Sequence, residues 1–139
     1  MTNNPIDHFI HKATEFSRDF EVNPKLADGV EGTALLQKTM NFLEEEVRET
    51  IEAIAESDLP EIIDGFGDVA FIALNGIYKT FRFEGSTHEE ATTAIHEVMH
   101  RICDANLGKK QADGSIKYVN GKVVKPEGWT APRYDDMVA

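Results

Sequence analysis

The 139-residue chain is 41% hydrophobic and carries a formal net charge of −11. That is enough apolar material for one folded domain, and too much negative charge for a protein whose main work is gripping a phosphate backbone. A phosphorylated small molecule stays compatible, provided a cation offsets the acids.

The first helix is expected over roughly residues 6–20, where Ile6, Phe9, Ile10, Ala13, Phe16 and Phe20 recur at helical spacing. Asn23-Pro24 and Asp28-Gly29 mark a loop after it. The second helix is expected over roughly 33–57, with Leu36, Met40, Leu43, Val47, Ile51 and Ile54 as one narrow apolar stripe. Glu45, Glu49, Glu52 and Glu56 lie opposite that stripe, and Glu46 sits to one side of it. Ser57 or Asp58 then caps a third helix, with Pro60 near its first turn.

The third helix is expected over roughly 60–82. Ile62, Phe66, Val69, Ala73 and Ile77 line one face, and Asp64, Asp68, Phe71, Ile72 and Asn75 line the other. Gly65 and Gly67 lower its helix propensity and allow a backbone or a ligand to come close. The fourth helix is expected over roughly 87–107, opened by a Thr87/Glu90 capping box and stopped by Gly108. Ala91, Ala94, Ile95, Val98 and Ile102 form its apolar stripe. Beyond it, Ile116–Val119 and Lys122–Lys125 flank Asn120-Gly121, a two-residue hairpin signal, before an irregular tail with Pro126, Gly128 and Pro132. Residues 1–108 thus read as an all-α domain, and 109–139 as a hairpin and tail belonging to the same domain.

The acids carry the chemistry. Asp64 and Asp68, one turn apart, project from one face of a helix that is apolar on nearly every side. Such a helix is buried, and buried carboxylates require partners. If the second and third helices pack antiparallel, as their short link implies, Glu45, Glu46 and Glu49 face this pair. Carboxylates converging in that way call for a divalent cation, and Mg²⁺ takes hard oxygen ligands while keeping waters or substrate phosphates in its other positions. For the glutamates alone, a solvated helix face accounts for the spacing equally well.

A second motif competes. His96-Glu97-Val98-Met99-His100 fits H-E-x-x-H, the pattern of a zinc hydrolase. Cys103 and Asn106 stand where an extended version of that motif would place Gly and His. Two surface histidines on an amphipathic helix explain the match as well. Cys103 is the one cysteine, which excludes an intramolecular disulfide and fits a reducing cytoplasm. No apolar run reaches the length of a membrane span.

Phe42-Leu43-Glu44-Glu45-Glu46-Val47-Arg48-Glu49 resembles the E-E-x-x-E element of MazG-like nucleoside triphosphate pyrophosphatases. Asp64-Gly65-Phe66-Gly67-Asp68 resembles their second acidic element, usually E-x-x-D, with Gly65 in the usual glutamate position and Asp64 as its substitute. Phe9–Ala13 is similar to the opening helix of that family, and Ala105-Asn106-Leu107-Gly108-Lys109 to its N-x-x-K element. Asp113-Gly114 through Lys125 and Pro126 is similar to a segment of phosphoribosyl-ATP-pyrophosphatase-like members. The resemblance spans most of the chain, and the order and spacing of its motifs are more specific than any one of them.

The resemblance implies an all-α, MazG-like four-helix bundle completed by dimerisation, with a C-terminal β-hairpin-like tail. It implies Mg²⁺-dependent cleavage of a nucleotide between its α- and β-phosphates, with Mn²⁺ as a substitute metal. Glu46, Glu49, Asp64 and Asp68 would then be metal ligands, and Glu45 a further ligand or the residue that orients the water. Asn106, Lys109 and Lys125 would contact phosphate, and Phe16, Phe71 and Asn75 are candidates for the base. The expected partners are a nucleotide substrate and further copies of the chain, as a homodimer or a dimer of dimers, with no nucleic acid and no membrane. A zinc hydrolase built on His96, Glu97 and His100, and a non-enzymatic acidic helical dimerisation module, are the alternatives.

Overall fold

A computed structural model describes residues 5–138; the side chain of Ile6, assigned above to the first stripe, lies outside the described ones. The protein is mostly helical. In order come α1 (Pro5–Ser17), a π-helical turn (Arg18–Val22), α2 (Asn23–Ala27), α3 (Gly32–Ala55), α4 (Leu59–Phe83), α5 (His88–Leu107), β1 (Tyr118–Val119), β2 (Lys122–Val123) and a 3₁₀ turn (Asp135–Met137). The chain divides into two compact units between Ile95 and His96.

In the first unit the expected loop at Asn23-Pro24 is instead the start of α2. Proline has no N–H to offer, but a helix leaves its first N–H groups unpaired anyway, so Pro24 fits the first turn. The turn falls at Asp28-Gly29, where Gly29 takes a left-handed φ of 80°. Between α3 and α4, Ser57 adopts φ 55°, and Asp58 caps α4 by accepting the Glu61 amide at 3.3 Å. At the start of α5 the capping box forms in both directions: the Thr87 amide donates to Glu90 Oε1 at 3.0 Å and the Glu90 amide to Thr87 Oγ1 at 3.1 Å.

Helices α3 and α4 form an antiparallel hairpin, the most extensive packing in the unit. Its register is fixed by close approaches: Gly32 under the Phe83 ring, Gly76 beside Thr39, and Gly65 against Thr50. At these approaches the contact is built from glycine and threonine, with one large ring, Phe83. Leu35, Thr39, Thr50 and Ala53 are the buried residues of α3. The stripe read from the sequence is therefore not the face that packs within the chain: Met40, Val47, Ile51 and Ile54 are exposed. On α4, Ile63 is 73% and Phe66 60% exposed. Two backbones that approach through glycine, alanine and threonine leave the larger side chains pointing away from the seam. Helix α1 packs on α4, with Ile10 and Ala13 buried. Thr92 Oγ1 of α5 lies 3.1 Å from Thr14 Oγ1 of α1.

The second unit holds the last turns of α5, the hairpin and the tail. Asn120 and Gly121 take φ of 52° and 75°, the left-handed pair a tight two-residue turn requires. Tyr118 pairs with Val123, and Val119 with Lys122. Arg101 ties the tail down: its Nε donates to Glu97 at 2.7 Å, and its two terminal nitrogens meet Asp136 at 2.7 and 2.9 Å. Among the described residues, no helix is long and apolar enough to cross a membrane.

Candidate functional site

The α3–α4 register brings the two acid clusters to the same level of the hairpin. Thr50 and Gly65 touch, so Glu49 on α3 and Asp64 and Asp68 on α4 lie within one turn of the contact, with Glu46 just beyond. Thr50 Oγ1 also donates to the Glu46 carbonyl at 2.6 Å, which ties the turn carrying Glu46 to this seam. Glu46 is half-buried. Its burial first, and then repulsion from Asp68, Glu49, Glu45 and Asp64, pushes its carboxyl above the usual value of 4.5. The other four expected acids thus all act on Glu46. As placed, however, no three Asp, Glu, His or Cys side chains among the described residues come together closely enough to hold a metal ion.

Glu45, Glu46 and Asp68 line a cavity of about 470 Å³. Phe16, Phe20, Phe42 and Phe71 supply aromatic surface to the same cavity. Phe16 stacks on Phe20 with ring centroids 4.8 Å apart, and the tilted Phe71 ring sits 5.4 Å from Phe16. The π-helical turn at Arg18–Val22 follows directly on Phe16 and contains Phe20.

The cavity also has buried polar groups that sequence reasoning missed or named only in passing. Lys79 is 2% exposed, and its ammonium donates to Glu21 Oε2 and to Thr39 Oγ1, both at 2.6 Å. Asn75, one turn earlier, is 1% exposed, and neither its Oδ1 nor its Nδ2 has a partner. Both residues line the cavity. The available signal was their spacing: two polar side chains one turn apart on the same face of an otherwise apolar helix.

In the second unit, Asn106 and Lys109 line a smaller cavity of about 270 Å³. Lys109 and Lys125 place their ammonium groups 5.5 and 4.7 Å from the Trp129 ring centre. Trp129 in turn donates its indole N–H to the Ala105 carbonyl at 2.7 Å. Of the H-E-x-x-H residues, Glu97 is engaged by Arg101 at 2.7 Å, and His100 Nε2 lies 3.2 Å from Asp104 Oδ2. Cys103 is exposed.

The chain matches no family model, no curated protein and no solved structure.

Proposed function

We propose that the protein is a Mg²⁺-dependent nucleotide pyrophosphohydrolase that cleaves a nucleoside triphosphate between its α- and β-phosphates, releasing a monophosphate and pyrophosphate. One observation carries this reading: four carboxylates act on a fifth, Glu46, at the edge of a cavity lined by phenylalanine rings. Hard oxygen donors suit Mg²⁺, and the repulsion that pushes Glu46 up is the excess negative charge a divalent cation offsets. Glu46, Glu49, Asp64 and Asp68 would hold the metal, which requires their side chains to draw closer together than they stand. Bound there, it would supply charge neutralisation at the phosphoryl oxygens and a lowered pKa for an attacking water. Glu45, which lines the same cavity, would accept a proton from that water or orient it. The phenylalanine rings offer planar apolar surface for the base, so that the triphosphate reaches the acids. Asn106, Lys109 and Lys125 are assigned to phosphate by the order of the motifs along the chain.

A MazG-like bundle completed by a second copy is the arrangement that best accounts for the unpartnered face of the hairpin. Ile51, Leu59, Ile63 and Phe66 are 61%, 67%, 73% and 60% exposed, and an apolar groove of about 420 Å³ runs between Met40, Leu43, Ala73 and Ile77. Large exposed apolar patches of this kind mark association surfaces. Phosphorus NMR of a nucleotide panel incubated with the protein and Mg²⁺ tests the activity. Monophosphate and pyrophosphate in equal amounts are expected. Orthophosphate as the first product, or no turnover with either Mg²⁺ or Mn²⁺, would overturn the reading.

A further inference from the structure

We propose that Asn75 and Lys79 together read the base of the substrate, and that they select a pyrimidine; this rests on the nucleotide-hydrolase reading above. An amide buried with both of its polar atoms unpaired is rare in a folded protein, because it has given up water and gained nothing in return. Asn75 is such a group, and it lines the cavity that the phenylalanines enclose. Its open valences are one acceptor and a donor pair side by side. A hydrogen-bonding ligand edge with a donor next to an acceptor satisfies both, and a nucleobase carries such an edge on a flat body that stacks on Phe16, Phe20 or Phe71.

Lys79 narrows the class. An ammonium has three donors and no acceptor. Two of its protons are spent on Glu21 and Thr39, which leaves one for a ligand in the cavity it lines. The protein edge is therefore an amide, readable in either order, followed by a pure donor. The matching ligand edge is a donor–acceptor pair followed by a second acceptor. Uracil and thymine present O4, N3–H and O2 in line; cytosine presents N4–H, N3 and O2. In each pyrimidine the O2 carbonyl takes the Lys79 proton. Adenine ends this edge in C2–H, and guanine ends it in the N2 amine, another donor that Lys79 opposes. Asn75 and Asp68 lie seven residues apart on one helix, about 10 Å along its axis. The base-reading groups and the carboxylates therefore occupy separate stretches of the cavity, as the base and the phosphates of one nucleotide require.

Calorimetric binding of UMP, CMP, AMP and GMP to the full chain with Mg²⁺ tests this without any turnover. The expected result is a Kd at least tenfold lower for the two pyrimidine nucleotides than for the two purine ones. In Asn75→Leu the pyrimidine Kd should rise about 5- to 150-fold, the range expected for losing one bidentate base contact, while the purine Kd stays within twofold. Asn75→Asp keeps the shape, removes the donor and should weaken both pyrimidines. The ranking in the unaltered protein decides the matter even if both variants fail to fold. Purines bound as tightly as pyrimidines, or no measurable binding of any of the four, would overturn the proposal. The two readings fail separately. Pyrimidine-selective binding with no pyrophosphate release sinks the hydrolase and leaves the base reader. Pyrophosphate release that favours purines does the reverse.

Discussion

Replacing Gly65 by alanine tests whether the seam between α3 and α4 positions the acids. A Cβ at this position would overlap Thr50 Oγ1 and lie 3.0 Å from Thr50 Cβ and 3.1 Å from its Cγ2. The obstacle is a β-branched side chain held by its hydrogen bond to the Glu46 carbonyl, so it cannot swing away freely. Overpacking of this kind costs about 1–3 kcal/mol, and contact with the whole threonine side chain places Gly65→Ala near the upper end. Alanine returns about 1 kcal/mol of helix propensity. The net expectation is about 2 kcal/mol of destabilisation, which lowers the urea midpoint by about 1 M for a slope of ~2 kcal/mol/M. In a Thr50→Ala background only the 3.0 Å Cβ contact remains, and a shift of a few tenths of an ångström relieves it. There Gly65→Ala should be close to neutral. Urea unfolding of the four proteins, followed by circular dichroism, should give a coupling of about 2 kcal/mol. Additivity within ~0.5 kcal/mol, or stabilisation by Gly65→Ala alone, would refute the packing described here. The same geometry explains why a glutamate does not fit at this position: Gly65 is buried in the seam, where there is no room for its side chain.

Further expectations concern charge and association. Because the folded pKa of Glu46 lies above its ordinary 4.5, metal-free protein carries a penalty at neutral pH that disappears as the pH falls below 4.5. Glu46→Gln should therefore be more stable than the unaltered protein at pH 7 in EDTA and equal to it at pH 4, by thermal unfolding; equal stability at pH 7 would count against the clustering of the acids. Ile63→Lys with Phe66→Glu places charges on the exposed hairpin face and should convert an associated species to a monomer in sedimentation velocity. An unaltered protein that is monomeric at 100 µM would remove the proposed second copy (a concentration of the order needed to detect weak pairs).

Much of the helical framework was legible in the sequence. The four long helices begin and end within a few residues of where their spacing and caps put them, and Thr87/Glu90 and Asn120-Gly121 form as their chemistry requires. The packed face of α3 was not legible. Apolar periodicity assigns the core to Met40, Val47, Ile51 and Ile54, whereas the chain packs through Thr39, Thr50 and Ala53 because the α4 glycines admit a closer approach. Periodicity cannot distinguish a face turned to the same chain from one left for another. Of the candidate site, the nearness of the acids to Glu46 could be read because they stand in two dense clusters. The buried cation could not: Lys79 is explained only by Glu21, 58 residues earlier, and the unpaired state of Asn75, itself a candidate for the base in the sequence, only by the enclosure around it. The π-helical turn bearing Phe20 has no local sequence mark that separates it from an α-helix.

The most direct test of the central claim is Mg²⁺-dependent pyrophosphate release by the unaltered protein and by Asp68→Asn, compared on the best nucleotide of a broad panel. Asp68 lines the cavity and is the charge that acts most strongly on Glu46, and asparagine keeps its shape. The account predicts release by the unaltered protein, abolished by EDTA, and a loss of at least about 100-fold in the variant, of the order seen when one group that stabilises transition-state charge is removed. Its helical circular dichroism should be unchanged. Turnover by Asp68→Asn within twofold of the unaltered protein would contradict it.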